Sequence, residues 1–94
     1  MANIFNTNSN TLISGTSGND TIKNGSYRKD GGSNVTIEAD AGDDYIENNY
    51  GNNATINAGA GNDKIYNSGN YTTISGGVGN DTIYNSKSTD TLSI

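Results

Sequence analysis

The aliphatic residues of this chain recur at near-constant intervals. Ile13, Ile22, Ile37, Ile46, Ile56, Ile65, Ile74, Ile83 and Leu92 are separated by 9, 15, 9, 10, 9, 9, 9 and 9 residues. Each has polar or β-prone neighbours, as in Thr21-Ile22-Lys23, Thr36-Ile37-Glu38, Tyr45-Ile46-Glu47, Thr55-Ile56-Asn57 and Lys64-Ile65-Tyr66. One inward residue between two outward ones is the period-two mark of a very short strand. The segments between are rich in Gly, Asn, Asp and Ser, which form turns. Short strands alternating with turns on a fixed period wind into a coil whose equivalent positions stack as ladders. The pattern predicts an all-β solenoid.

A longer period lies over the first. Gly18-Asn19-Asp20, Gly42-Asp43-Asp44, Gly61-Asn62-Asp63 and Gly79-Asn80-Asp81 each precede a strand, with their last aspartates 24, 19 and 18 residues apart. The segments between them carry Val35, Ala54 and Thr72 at the equivalent position. One coil is therefore two turns, about eighteen residues. One edge presents stacked aspartates and the other small residues and Asn. The 24-residue interval holds an insertion around Gly25–Gly31, expected as a surface bulge, and the 19-residue interval holds one extra residue near Asn49. Asn24, Asn48, Asn67 and Asn85 each close a strand and should stack as an amide ladder. Lys23, Glu47, Tyr66 and Tyr84 form one outward column, and Thr21, Tyr45, Lys64 and Thr82 form another.

Composition alone points elsewhere. Ile, Leu, Val and Phe make up only fifteen of 94 residues, whereas Asn, Thr, Ser and Gly make up 51. That mixture suggests disorder until the order of the residues is considered. The chain has no Cys, His or Pro, which excludes disulfides and the usual zinc or haem ligands. A net charge of −5 disfavours nucleic acid and anionic membranes and suits cations. No apolar run is long enough to enter a bilayer, so membrane insertion is not expected.

Gly76-Gly77-Val78-Gly79-Asn80-Asp81-Thr82-Ile83-Tyr84 fits the nonapeptide Gly-Gly-x-Gly-x-Asp-x-U-x, where U is a large aliphatic, at every defined position. Residues 58–66 depart from it only at Ala58, residues 15–23 at Thr16, and residues 39–47 at Ala39 and Asp40. Over residues 12–93 the chain resembles the hemolysin-type calcium-binding (RTX) repeat family. The resemblance implies a right-handed parallel β-roll, a form of β-helix solenoid, with calcium between stacked turns.

The residues themselves favour the same ion. A core of one aliphatic per turn is thin and normally needs staples. Aspartates stacked about 4.8 Å apart repel unless a cation lies between them. Carboxylates and carbonyls are hard oxygen donors that suit calcium, whereas zinc and copper prefer imidazole or thiolate. Asp20, Asp44, Asp63 and Asp81 are the expected side-chain ligands, with about three ions in one row. By resemblance, backbone carbonyls complete the shells. They come from Gly15, Ser17 and Gly18, from Ala39, Ala41 and Gly42, from Ala58, Ala60 and Gly61, and from Gly76, Val78 and Gly79. Asp40 and Asp43 fall outside the matched position and are expected to be solvated or to stand behind the primary ligands rather than among them.

Competing readings are weaker. A single Gly-x-Asp is an ordinary turn, but four in register on a strand period are not. Asp40–Asp44 lacks the Glu of an EF-hand loop, and no P-loop lysine follows the Gly-x-Gly pairs. No nucleophile–base pairing suggests an enzyme. The expected function is a calcium-binding module that folds on binding calcium, within a bacterial protein that is secreted or displayed on the cell surface. The localisation follows from the resemblance. The alternative is a surface-recognition module binding ice or glycan. Thr36, Thr55, Thr73 and Thr91 form only one threonine column, which disfavours ice. Residues 1–11 are expected as an N-terminal cap or leader and residues 12–94 as the repeat domain. The expected partners are calcium and either neighbouring domains or, end to end, a second copy.

Overall fold

The computed structural model describes residues 2–25, 32–49, 51–86 and 90–93, and residues 26–31, which carry the expected bulge, lie outside these. The described residues form ten strands and no helix. They are β1 (Asn3–Asn6), β2 (Leu12–Ser14), β3 (Thr21–Asn24), β4 (Thr36–Glu38), β5 (Tyr45–Asn48), β6 (Thr55–Asn57), β7 (Lys64–Asn67), β8 (Thr73–Ser75), β9 (Thr82–Asn85) and β10 (Thr91–Ser93). Odd-numbered strands form one parallel sheet in the order β1-β3-β5-β7-β9, and even-numbered strands form the other. Alternate strands go to alternate sheets because each nine-residue unit supplies one strand and one reversal of direction. The result is a parallel β-solenoid of about four coils.

The register follows the isoleucines. Ile4, Ile22, Ile46, Ile65 and Ile83 pair in succession along one sheet. Ile13, Ile37, Ile56, Ile74 and Leu92 do so along the other. The isoleucines of the central coils are wholly buried, joined in the core by Val35, Ala39 and Ala58, with Ile4 and Ile83 partly covered at the two ends. The strand series starts earlier than the aliphatic spacing from Ile13 indicated. Asn3–Asn6, expected only within a cap or leader, is a strand in full register with Thr21–Asn24.

The asparagine column forms the expected ladder and has one more rung. Asn6 Nδ2 donates to Asn24 Oδ1 (2.9 Å), Asn24 to Asn48 (2.8 Å), Asn48 to Asn67 (2.7 Å) and Asn67 to Asn85 (2.8 Å). The second hydrogen of Asn24 and Asn48 reaches a turn carbonyl, and that of Asn67 is shared between Gly69 O and Asp90 Oδ2. Asn24 Nδ2 donates to Gly32 O (2.8 Å), Asn48 Nδ2 to Gly51 O (2.9 Å) and Asn67 Nδ2 to Gly69 O (3.2 Å). An amide both donates and accepts, so a stack of amides satisfies itself in the interior. Residues Asn10, Asn34, Asn53 and Tyr71 repeat a left-handed turn along this edge (φ 58, 54, 55 and 54°). The outward columns also stand as expected: Lys23 and Glu47 pair at 3.7 Å, and the rings of Tyr66 and Tyr84 stack at 4.6 Å.

Replacing the buried Asn48 by Ala strands a donor on Asn24 and acceptors on Asn67 and Gly51. We expect a loss of at least about 2 kcal/mol in urea unfolding, and a smaller loss for Asn6→Ala at the end of the row. Equal losses at the two positions would show that the ladder is not cooperative.

Candidate metal centre

The four aspartates expected as ligands stack on one edge of the solenoid. Each stands two residues before the inward isoleucine of an odd-numbered strand, so strand register fixes carboxylate register. Asp20, Asp44 and Asp63 are 2% exposed, and Asp81, just before the last strand of the sheet, is half-buried. Oδ1 of each accepts a main-chain amide from the coil before it. Ala2 N–H donates to Asp20 (2.8 Å), Asp20 N–H to Asp44 (2.8 Å), Asp44 N–H to Asp63 (2.9 Å) and Asp63 N–H to Asp81 (3.0 Å).

The second oxygens divide the row. Oδ2 of Asp44, Asp63 and Asp81 is buried and has no hydrogen-bond partner. Asp20 Oδ2 accepts the Thr16 amide (2.7 Å), while the Thr16 hydroxyl lies 2.7 Å from Oδ1. Asp20 is thus satisfied by its own turn, and the other three are not. A buried carboxylate oxygen without a donor is costly, and such atoms call for a missing ion or water.

The turns divide in the same way. Asp40, Gly59 and Gly77 adopt left-handed conformations (φ 71, 87 and 88°), and Gly42, Gly61 and Gly79 have φ of 99, 111 and 115°. Thr16 and Gly18 do not share this geometry. Glycine is required at the fourth turn position for a second reason. A Cβ on Gly42, Gly61 or Gly79 would strike the carbonyl oxygen of Gly18, Gly42 or Gly61 in the coil before. These carbonyls are therefore packed directly along the aspartate edge. Ala39, Ala58 and Gly76 are buried, whereas Ser17, Ala60 and Val78 are exposed and Gly15 and Ala41 half-exposed. The Val78 carbonyl accepts the Gly61 amide (3.0 Å).

Charge follows burial. Desolvation is the largest influence on Asp44 and Asp63 and, with repulsion from neighbouring aspartates, raises their carboxyls from 3.8 to about 6 and about 7. Burial also pushes Asp20 upward, but the hydrogen bonds from Thr16 and Ala2 outweigh it, and its carboxyl lies below the usual value. The middle of the row is therefore where negative charge is least tolerated without a counter-ion. Among the described residues no three carboxylate, imidazole or thiolate groups converge. The arrangement supplies one carboxylate per coil, so any cation held here draws its remaining ligands from oxygens of the main chain. Such a donor set fits a hard divalent cation.

A family model for the RTX calcium-binding nonapeptide repeat matches four copies, over residues 5–23, 29–54, 50–66 and 73–92. The chain belongs to this family. RTX calcium-binding repeats thus account for most of the solenoid, β1 included in part. No curated protein and no solved structure matches the chain.

Three residues at this centre and its surroundings escaped the sequence reading. Thr16 appeared only as a departure from the repeat, yet it supplies the donors that complete Asp20. Asp43, expected to be solvated, is exposed but stitches coils together: its amide donates to Asn19 Oδ1 (2.7 Å) and its Oδ1 accepts the Asn62 amide (2.8 Å). Asp90 stands two residues before Leu92, the same offset as the other aspartates, but on the opposite edge. Its Oδ1 accepts the Thr72 amide (2.7 Å) and its Oδ2 the Asn67 side-chain amide (2.8 Å). Both its oxygens are paired, and the offset from Leu92 was the signal that could have found it.

The raised carboxyls set a pH dependence. With a folded value above the unfolded one, Asp44 and Asp63 hold protons in the fold that the unfolded chain has released. Their contribution to the metal-free fold is full below about pH 4 and is lost as the pH rises through 6 and 7. Without divalent cations, the β signal in circular dichroism should therefore strengthen as the pH falls from 8 to 5. A metal-free spectrum that weakens over that range would show that the buried row does not carry this charge.

Proposed function

We propose that the chain is a calcium-dependent folding module, in which ions between successive turns complete the Asp44, Asp63 and Asp81 carboxylates. The observation that carries this reading is the set of three buried, unpartnered Oδ2 atoms, one per coil, on a single edge. The Asp44–Asp63 and Asp63–Asp81 intervals are the two full sites of the proposal. Carbonyls from residues 39–42, 58–61 and 76–79 would supply the remaining ligands. Asp20 and turn 15–18 form the weaker member of the row, because Thr16 already occupies the Asp20 oxygens. The opposite edge is neutral at Val35, Ala54 and Thr72, and Asp90, the aspartate there among the described residues, is paired, so the proposed ions form one row.

When bound, calcium would supply positive charge that the coils lack. If free calcium exceeds the dissociation constant 10- to 100-fold, each site adds about 1.4 to 2.7 kcal/mol. In a solenoid with so thin a core, a few such sites decide whether the chain folds. That dependence suits a protein that stays open inside a bacterial cell, where calcium is scarce, and folds after secretion or at the cell surface. We therefore assign a binding and scaffolding role rather than catalysis.

Circular dichroism with calcium titrated against a chelator tests the reading directly. The expected result is a largely disordered chelated chain at neutral pH that gains β signal cooperatively with calcium. A full β spectrum in chelator at pH 8 would overturn it.

The position of each aspartate predicts a rank order. Asp63 stands between two unpartnered carboxylates and serves both proposed sites, so Asp63→Ala should raise the calcium midpoint most, by about tenfold or more. Asp81→Ala removes one terminal site and should shift it less. Asp40→Gly should do least, because Asp40 already has the left-handed backbone that glycine adopts freely. An Asp81 effect equal to that of Asp63 would mean that the ligand is not shared.

A further inference from the structure

We propose that the two ends of the solenoid are complementary and that copies of the chain stack head to tail. In this arrangement β9 and β10 of one copy lie against β1 and β2 of the next.

Each of the four end strands exposes a large apolar or aromatic side chain. Of the six exposed large hydrophobic residues among the described ones, four lie on the four end strands: Phe5 (65%) on β1, Leu12 (60%) on β2, Tyr84 (51%) on β9 and Leu92 (43%) on β10. Phe5 shares its outward column with Lys23 and Glu47, and Leu12 shares its column with Thr36 and Thr55. Phe5 and Leu12 are thus apolar where their column neighbours are polar, whereas Leu92 continues the inward isoleucine row and Tyr84 the column of Tyr66.

The two ends also match in register. Continuing the sheet order would place Thr82, Ile83, Tyr84 and Asn85 opposite Asn3, Ile4, Phe5 and Asn6 of the next copy. Leu92 would fall opposite Ile13. The half-covered Ile83 and Ile4 would close over each other, and the Tyr66–Tyr84 stack would gain Phe5 as its next ring. This repeats the contact already made within the chain, where β1 lies against β3 with isoleucine on isoleucine and asparagine on asparagine.

The hydrogen bonds have a direction that makes the ends different and mutually suited. The rungs from Asn6 to Asn67 each donate toward β9, so the ladder runs in one direction and its β1 end presents an acceptor oxygen. Asn6 Oδ1 accepts one main-chain amide, from Asn8 at 3.2 Å, and a carbonyl oxygen has room for a second donor. Likewise the carbonyls of Asp20, Asp44 and Asp63 accept the amides of Tyr45, Lys64 and Thr82 in the following coil. β9 presents the Asp81 carbonyl in the same direction, and β1 presents the Asn3 amide to meet it. A partner of this pattern is a further coil of the same repeat, and a second copy of the chain supplies one. Such head-to-tail contacts do not close, so the product is an open series rather than a defined dimer.

Sedimentation velocity of the 94-residue chain, with and without calcium, tests the proposal. The expected result is a weight-average mass that rises at least about threefold between about 10 and about 500 µM without reaching a plateau. Phe5→Glu with Tyr84→Glu sets two carboxylates across the junction and should leave a monomer with unchanged circular dichroism. Within the chain the first substitution faces Lys23 and so does not repel its own neighbour. Phe5→Glu with Tyr84→Lys restores opposite charges and should restore association that weakens in salt. A folded chain that remains monomeric, an assembly that stops at two copies, or undiminished assembly of the Glu–Glu variant would each overturn the proposal. A monomer that still folds on calcium would leave the calcium reading intact.

Discussion

In a solenoid each residue meets its own equivalent one coil away, so every row of side chains has to be compatible with itself. That constraint governs this molecule. A row of isoleucines satisfies it by excluding water, and a row of asparagines satisfies it because an amide both donates and accepts. A row of aspartates cannot. Each carboxylate has only acceptors, and the neighbouring coil supplies one amide N–H, which Oδ1 takes. Oδ2 of Asp44, Asp63 and Asp81 is left over in the interior. The two edges have the same strand spacing and the same parallel register, yet one closes on its own and the other is incomplete. On the opposite edge the unpartnered buried atom among the described residues is the neutral hydroxyl of Thr72, a far smaller penalty than three carboxylate oxygens.

The same constraint explains why the turns are so particular. Coils stacked at strand spacing leave no room for a side chain where one turn crosses the next, which is why carbonyls of Gly18, Gly42 and Gly61 lie against the α-carbons of Gly42, Gly61 and Gly79. Positive φ at those glycines turns the chain without a Cβ in the way. Polar side chains outside the aspartates then bind the turns to each other. Asn19, Asp43 and Asn62 accept amides from the following coil, while the aspartate row accepts from the preceding one. Each turn is held from both sides, so its geometry is inherited from its neighbours rather than set by local sequence alone.

Much of this was legible in the sequence because a repeat writes its register into residue spacing. The isoleucine intervals gave the strands, the asparagine after each odd-numbered strand gave the ladder, and the Gly-x-Asp intervals gave the acidic edge. The first strand was overlooked for a definite reason. Ile4 and Asn6 stand eighteen residues before Ile22 and Asn24, but Ala2 occupies the position two before the inward isoleucine where the other odd-numbered strands have their aspartate. What spacing could not show is the state of each carboxylate. Equivalent aspartates look alike in the sequence, and only atomic contacts distinguish a satisfied oxygen from an orphaned one.

That distinction turns on the residue four positions before each aspartate. At Asp20 it is Thr16, whose amide and hydroxyl fold back on the carboxylate and hold it ionised without help. At Asp44, Asp63 and Asp81 it is Asp40, Gly59 and Gly77, all with left-handed backbones and with no hydrogen bond from their amides to the carboxylate. One position of the repeat therefore sets whether a coil satisfies its own charge or needs charge from outside. Asp90 shows the rule from the other edge. There the donors come from the preceding coil, the Thr72 amide and the Asn67 side chain, and the carboxylate is complete although the nonapeptide pattern is hardly present. An aspartate at the repeat position is thus not by itself a metal ligand. It becomes a candidate where the turn before it is left-handed and the neighbouring coil offers a single donor, a condition that Asp44, Asp63 and Asp81 meet.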